Sequence, residues 1–373
     1  INLDQTTSNY QKAASTMSVT MLFCFFLKKC RVPLLLLLTI ISCAPSPTEW
    51  EPPEQLSEYG LFQGTGAIQK PPPNVIPYDL NTPLFSDYTA KYRFIKLPKD
   101  TQATYDPIQT FDLPIGTIIA KTFAYPHDMR DRSKGQHLLE TRLLIHRPNG
   151  WIGLPYVWNK EQTDATLEIA GEILQTQWIH TDGQQRSNKY MIPNVNQCKQ
   201  CHDQHGHLKP IGIRARHLNR DYPYDHGSMN QLTHWSQQGI LENAPHPNNA
   251  PKLAVWNNPN TGTRNERARA YLEVNCAHCH APEGRAWSAG LDLTASQTDP
   301  SLIGVFKTST AAGAGTGGRD YDIVPGDPNA SIFPYRIAST QPDVAMPELG
   351  RRLVHTEGLA LIEQWIANMN TEK

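Results

Sequence analysis

The hydrophobic pattern of the chain opens with one continuous apolar run, residues 32–41, which follows the basic segment KKCR at positions 28–31. A run of about ten residues is too short to cross a bilayer, which needs roughly 20 apolar residues. A basic segment followed by a short apolar one is typical of a secretory signal peptide. A buried core helix is the alternative, but polar, proline-rich sequence follows at once. We therefore predict upstream residues and a signal peptide in residues 1–43, and a linker in residues 44–59.

A second pattern covers residues 60–191, where short runs rich in Ile, Leu, Thr, Tyr and Trp are broken by Pro and Gly. Such runs are typical of β-strands joined by turns, and helical periodicity is weak there. We predict an antiparallel, sandwich-like β-domain for this segment. Glu140 and Arg142 alternate along one predicted strand, and we expect them to form a solvated ion pair.

Helical periodicity marks two segments of residues 260–373. Thr263 and Glu266 have the spacing of a capping box, which predicts the start of a helix. The apolar positions after it repeat at helical intervals up to residue 275. Near the end of the chain, the sequence TEGLALIEQWIANM places its apolar residues on one face of a second helix.

Charge and composition change this picture little. The formal net charge is −1 and no run of like charges stands out, so no basic surface indicates a nucleic-acid partner. The 30 prolines indicate loops and short elements rather than long helices.

The seven cysteines carry the clearest chemical signal. Two of them belong to the predicted signal peptide. Four lie in two C-x-x-C-H sequences, Cys198-Lys-Gln-Cys201-His202 and Cys276-Ala-His-Cys279-His280. In this motif the two thiols attach covalently to the vinyl groups of haem, and the adjacent histidine ligates the iron. We therefore predict two covalently bound haem c groups, with His202 and His280 as iron ligands.

Two other readings of these cysteines remain open. A zinc site would need its C-x-x-C pairs about 15–20 residues apart, whereas these pairs are far apart and each has an extra histidine. A thioredoxin-like dithiol would need a βαβ context, which the sequence does not show.

Together the patterns predict a multidomain chain. An antiparallel β-sandwich-like domain over residues 60–191 is followed by a first haem-binding region over residues 192–259. A helix that delivers Cys276 and a final amphipathic helix make residues 260–373 similar to class I cytochrome c. We expect both haem regions to be mostly α-helical.

The seventh cysteine, Cys43, follows Ile40, Ile41 and Ser42, and this tetrapeptide resembles the lipobox of bacterial lipoproteins. The resemblance implies a diacylglycerol on Cys43 and a firm membrane anchor. Because Ala44 follows rather than aspartate, it also implies the periplasmic side of the outer membrane. An ordinary signal peptide with an incidental Cys43 is the alternative.

The sixth iron ligand can be sought among the remaining methionines and histidines. Met346 lies in the loop sequence VAMPELG and is similar to the axial methionine of many class I cytochromes c, so we assign it to the second haem. Met369 fits the apolar face of the last helix and is predicted to be core. His355 is the competing ligand, or else a solvated surface histidine. For the first haem we choose none of the candidates Met191, Met229, His205, His207, His217, His226 and His234, and an open or weakly ligated iron is the other alternative.

The segments NQCKQCH, RARAYLEVNCAHCH and MPELGRRLVHTEGLALIEQWI resemble a bacterial family of exported dihaem c-type proteins, often encoded beside parallel β-helix proteins. The likeness covers roughly residues 60–370. It implies haem and export but no substrate, because the family has no established reaction.

The expected function is that of a membrane-anchored periplasmic dihaem cytochrome. It would pass electrons between periplasmic or outer-membrane redox proteins, with a neighbouring β-helix protein as a further candidate partner. The alternatives are a dihaem oxidoreductase of peroxidase type and a binding module in which the β-domain holds a partner. No catalytic residue is assigned.

Overall fold

The β-rich pattern forms strands in the computed structural model, which describes residues 50–310 and 313–370 of the chain. Residues 76–192 contain nine strands: β1 (Ile76–Tyr78), β2 (Ala90–Lys96), β3 (Ala103–Thr104), β4 (Ile118–Pro126), β5 (Gln136–Arg147), β6 (Gly150–Trp158), β7 (Ala165–Leu167), β8 (Glu172–Ile179) and β9 (Gln185–Ile192). Six of them form one antiparallel sheet in the order β1-β2-β4-β5-β6-β7. Strands β8 and β9 form a separate two-stranded sheet.

One face of the six-stranded sheet is buried by the segment that precedes it. Successive side chains of a strand point to opposite faces, so Phe94, Ala120 and Leu143, paired across three strands, share a face. They lie in one buried apolar cluster with Leu56 and Leu61.

The opposite face of the sheet is buried by the segment that follows it. Ile119 and Leu144 lie on this face and pack in a second cluster with Ile213 and Trp235. The other sheets of the described residues have two strands each, and one of them, the β8–β9 hairpin, packs Trp178 and Tyr190 against Phe123 of the six-stranded sheet. The predicted sandwich of two comparable sheets is therefore wrong, because a single hairpin, coil and short helices cover the apolar faces.

The rest of the chain is built from short elements. They are α1 (Val195–His202), β10 (Asp203–Gln204), β11 (His207–Leu208), α2 (Ala215–Leu218), β12 (Asp221–Tyr224), β13 (Gly227–Asn230), α3 (Gln231–Gln237), β14 (Leu241–Glu242), α4 (Arg264–Asn275), α5 (Pro300–Ile303), α6 (Ile332–Ala338) and α7 (Thr356–Ala367). The described residues from Pro52 onwards form one compact unit, and the domain boundaries proposed at 192 and 260 stay predictions.

The prediction of mostly α-helical haem regions built as class I cytochrome c is wrong. The longest α-helices of the described residues, α4 and α7, have 12 residues each, and the strands outnumber the α-helices. Pro and Gly keep the helices short. Helix α5 has Pro300 at its first position and ends after four residues at Gly304, whose φ of 110° is disfavoured for other residues. The regular structure of the described chain is therefore mostly β.

Two local helix predictions are confirmed. The Thr263 hydroxyl accepts from the Glu266 amide at 3.2 Å, and the Glu266 carboxylate accepts from the Thr263 amide at 2.7 Å, so the capping box starts α4. In α7, Ile362 and Ile366 are fully buried and pack with residues of α4. Met369 lies beyond the end of α7 and is partly buried against the same cluster.

A buried ionic cluster joins α4 to the residues around α2. Oε1 of Glu273 lies 3.3 Å from Nε2 of His217, 3.6 Å from Nε of Arg216 and 3.8 Å from Nη1 of Arg214. Its other oxygen accepts from the Ala295 amide at 2.7 Å. Burial raises the pKa of Glu273, but the hydrogen bond and charge of His217 and the charge of Arg216 outweigh it and lower the pKa to about 2. The carboxylate is therefore ionised and holds two segments together.

The amino-terminal predictions have no structural account. The predicted signal peptide and Cys43 lie outside the described residues. Among the residues that are described, every helix is too short or too polar to span a bilayer.

Candidate functional site

The first C-x-x-C-H sequence lies on helix α1. Asn194 caps this helix, since its side chain accepts from the Gln197 amide at 2.9 Å. Positions three and four apart lie on one helical face, so Cys198, Cys201 and His202 project to the same side. Cys198 approaches β6 at Gly153, where a Cβ atom would lie only 3.0 Å from the Cβ of Cys198. The absence of a side chain at Gly153 thus lets the motif dock on the sheet.

The histidine of this motif is oriented by a backbone group. Nδ1 of His202 lies 2.8 Å from the Lys209 carbonyl oxygen, which can only accept, so Nδ1 carries the proton and donates. This leaves Nε2 with a lone pair, the arrangement that metal-ligating histidines commonly show. Burial lowers the pKa of His202 to about 4, which keeps the ring neutral at physiological pH.

The second C-x-x-C-H sequence follows α4 as a tight turn. Cys276 is the C-cap of the helix, and its carbonyl accepts from the amides of Cys279 at 3.1 Å and His280 at 2.9 Å. Nδ1 of His280 is buried without a hydrogen-bond partner among the described residues. Burial lowers the pKa of His280 to about 4 and raises that of Cys276 to about 12. A neutral imidazole and a free thiol are therefore available.

The two motifs meet in the folded chain. The thiols of Cys201 and Cys279 influence each other, so that the pKa of Cys201 is lowered and that of Cys279 is raised. Sγ of Cys279 also lies 3.5 Å from the carbonyl oxygen of Gln200. All four motif cysteines are free. The sequence shows two motifs far apart, and only the fold makes them neighbours.

A large cavity borders the first motif. It encloses about 1790 Å³ of space, part of it open to solvent, and Cys198, Cys201 and His202 line it together with Cys276 and Met346. The thiols and the imidazole of the first motif therefore face one common space, which Cys276 of the second motif also borders.

A second cavity of about 920 Å³ borders the second motif. His280, Cys276 and Met346 all line it, so the fold brings the predicted ligand pair of the second haem to one space. His355 lines the first cavity instead.

His355 is not the solvated surface residue that the sequence suggested as one reading. Its side chain is buried and stacks on Phe85 with ring centroids 4.2 Å apart. Nδ1 of His355 lies 3.1 Å from the Tyr271 hydroxyl. The stacking on Phe85 and the contact with Tyr271 fix the His355 ring in the wall of the cavity.

Of the seven candidates for the sixth ligand of the first haem, Met191 and His217 line the first cavity. The other five, Met229, His205, His207, His226 and His234, are not among the described residues that line it. Sequence reasoning missed His278, which also lines this cavity, because it treated the residues inside the motif as spacers.

Glu140 and Arg142 form the expected ion pair, but the expectation that this pair is solvated is wrong. The pair forms, with Nε and Nη2 of Arg142 at 2.8 and 2.5 Å from the carboxylate. Glu140 is fully buried, however, and Arg142 lines the first cavity. The alternation along the strand correctly predicts that the two side chains share a face, but it does not show that this face is buried.

The residues fit covalently bound haem: four free thiols, two neutral imidazoles and two spacious cavities at the motifs. Within the described part of the chain, no group of three or more His, Cys, Asp or Glu is placed to hold a bare metal ion. In comparisons with known proteins, no family model, no curated protein and no solved structure matches this chain.

Proposed function

We propose that this protein is an exported dihaem c-type cytochrome that passes electrons between redox partners. The observation that carries the proposal is the meeting of the two C-x-x-C-H motifs, where Sγ of Cys279 lies 3.5 Å from the Gln200 carbonyl oxygen and a cavity borders each motif. Two redox centres held this way would lie close together, as a carrier with internal electron transfer requires.

In this proposal the chain holds each haem through its own motif. Cys198 and Cys201 would bind the first haem and Cys276 and Cys279 the second, with His202 and His280 as iron ligands. Bound haem supplies an iron that exchanges one electron. The sulfur of Met346 would complete the coordination of the second iron and raise its potential relative to a bis-histidine site.

Met346 and His280 share the second cavity, which supports a fully coordinated second iron, so the carrier and the peroxidase differ at the first iron. A peroxidase needs one iron with an accessible position. The discriminating experiment is the spectrum of the oxidised and reduced protein: two low-spin haems support the carrier. A high-spin fraction together with peroxide turnover would support the enzyme instead.

The proposal also includes a lipid anchor at Cys43 and the redox partners of the protein. A lipid on Cys43 would keep the protein on the periplasmic side of the outer membrane. Its partners would be periplasmic or outer-membrane redox proteins, possible donors and acceptors of electrons, or a β-helix protein encoded nearby.

We expect two covalent haems in the mature protein. Acid–acetone extraction should leave haem on the polypeptide, and the mass of the denatured protein should exceed that of the chain by two haems. The double variant Cys276→Ala, Cys279→Ala should keep one haem and serves as the matched control. A colourless parent protein loaded with zinc would contradict the proposal.

The lipid anchor is tested separately. The Cys43→Ser variant, expressed with its export signal, should move from the membrane fraction to the soluble periplasmic fraction, because acylation requires the thiol. The Cys30→Ser variant is the control and should stay with the membrane. If Cys43→Ser also stays there, Cys43 is not the anchor.

A further inference from the structure

Three cationic side chains form a row across the six-stranded sheet. Arg93 on β2 pairs in register with Lys121 on β4, and Lys121 pairs with Arg142 on β5. All three therefore point to the same face. Like charges directly opposite each other on neighbouring strands destabilise a sheet. The repulsion within this row therefore lowers the stability of the fold, and packing alone does not explain why the row is there.

The charges of the row are only partly balanced. Arg93 is buried and its Nη1 lies 2.5 Å from Asp79, but its Nη2 has no hydrogen-bond partner in the described chain. Arg142 is paired with Glu140. Lys121 has no carboxylate of the described residues within 4.0 Å, and its ammonium lies 4.8 Å from the centroid of the Phe123 ring. The Nη2 donor of Arg93 therefore lacks an acceptor, and the ammonium of Lys121 lacks a carboxylate partner.

The row faces the first cavity. Arg93, Lys121 and Arg142 all line it, and Arg351 lines it as well. None of the described residues that line this cavity is Asp or Glu. The cavity is otherwise largely apolar, so it suits a ligand that combines a hydrophobic body with negative charge.

The buried position of the Lys121 ammonium has an electrostatic cost. Burial, and then the positive charges of Arg93, Lys91 and Arg142, lower the pKa of Lys121 well below its usual value. An anion in the cavity would offset both effects, because an opposite charge nearby favours the protonated ammonium.

We propose that the row of Arg93, Lys121 and Arg142 binds the carboxylates of the haem that is attached at Cys198 and Cys201. This inference rests on the proposed function. Haem has a hydrophobic ring and two propionate carboxylates, which matches the combination of an apolar lining, the Lys121 ammonium and the unsatisfied Nη2 of Arg93. Guanidinium groups bind carboxylates through paired donors, while the lysine adds a point charge.

The test removes one charge of the row in the dihaem protein. In Lys121→Met, one of the two haem potentials should fall, because a nearby cation favours the more negative, reduced state. The expected change in the redox equilibrium is at least tenfold, or about 59 mV for one electron. The propionate bending band in the resonance Raman spectrum should shift as well. Lys121→Arg keeps the charge and should stay near the parent value in both measurements.

The matched control is Lys96→Met. Lys96 is also on β2 but points to the opposite face, where its ammonium donates to the Tyr59 carbonyl at 2.7 Å. This variant should leave both potentials and the propionate band unchanged. If Lys121→Met does not accumulate, Lys121→Gln, which is polar but uncharged, should give the same shifts.

The outcomes separate the two proposals. If the Lys121 variants carry two covalent haems with both potentials and the propionate band unchanged, the row does not bind the carboxylates and the cytochrome proposal stands. If the parent protein carries no covalent haem, the cytochrome proposal fails and this inference fails with it.

Discussion

Met346→Ala should lower the potential of one haem by more than about 59 mV, a change of over tenfold in its redox equilibrium. A thioether is a soft, neutral ligand that favours reduced iron, so its loss favours the oxidised state. The weak near-infrared sulfur-to-iron band of the oxidised protein should disappear. Both haems should stay attached, because attachment depends on the cysteines. Potentiometric titration and near-infrared absorption measure the two effects.

Met369→Ala is the matched control for this prediction. Met369 lines neither cavity and is partly buried against the cluster around α4 and α7. Its truncation should therefore leave the spectrum and both potentials unchanged. It should destabilise the fold by less than the roughly 2–5 kcal/mol of a fully buried methionine. An unchanged spectrum in Met346→Ala would instead exclude Met346 as the ligand and return His355 to consideration.

Glu273→Gln should lower the free energy of unfolding by about 3–5 kcal/mol, because it leaves buried cations without their carboxylate. Arg214, Arg216 and His217 all face this one side chain. Denaturant unfolding followed by circular dichroism measures the loss. Glu363→Gln, an exposed position of α7, is the control and should change little.

The same carboxylate predicts how stability depends on pH. The pKa of Glu273 is lowered to about 2 from a usual value of 4.5, so its contribution is present above pH 4.5 and is lost as the pH falls towards 2. The Glu273→Gln variant should lack this component of acid destabilisation. Parallel stability curves for parent and variant between pH 5 and about 2 would contradict the role given to the cluster.

The fold was only partly predictable. The strands of residues 60–191 and the capping box at Thr263 follow from local patterns, and both are present. The helical haem regions were inferred from the C-x-x-C-H sequences and from the two helices predicted near the second one. The motif itself requires little more than one turn of helix. Helix α1 provides that turn in eight residues, and the chain around it is free to adopt other structure. The 30 prolines were the better guide, because they predicted short elements.

The candidate site shows the same division. The motif residues were recognisable because their chemistry depends on spacing within five residues. The row of Arg93, Lys121 and Arg142 was not, since each cation lies on a different strand and only the register aligns them. The single sequence feature that could have indicated the row was a charged residue on the strand face that also carries apolar residues. For Arg142, this feature was interpreted as solvent exposure.

The sequence by itself therefore determined the chemistry that depends on neighbouring residues: two C-x-x-C-H motifs, the strands and the start of α4. The tertiary structure alone decided that Cys279 lies against the first motif at Gln200, that Met346 and His280 line one cavity, and that the row of Arg93, Lys121 and Arg142 lines the other. The physical reason is that local spacing fixes which groups one turn can present together. Contacts between distant residues depend instead on strand register and on which segment buries each face of the sheet. Many sequences with the same local patterns would bury these faces differently.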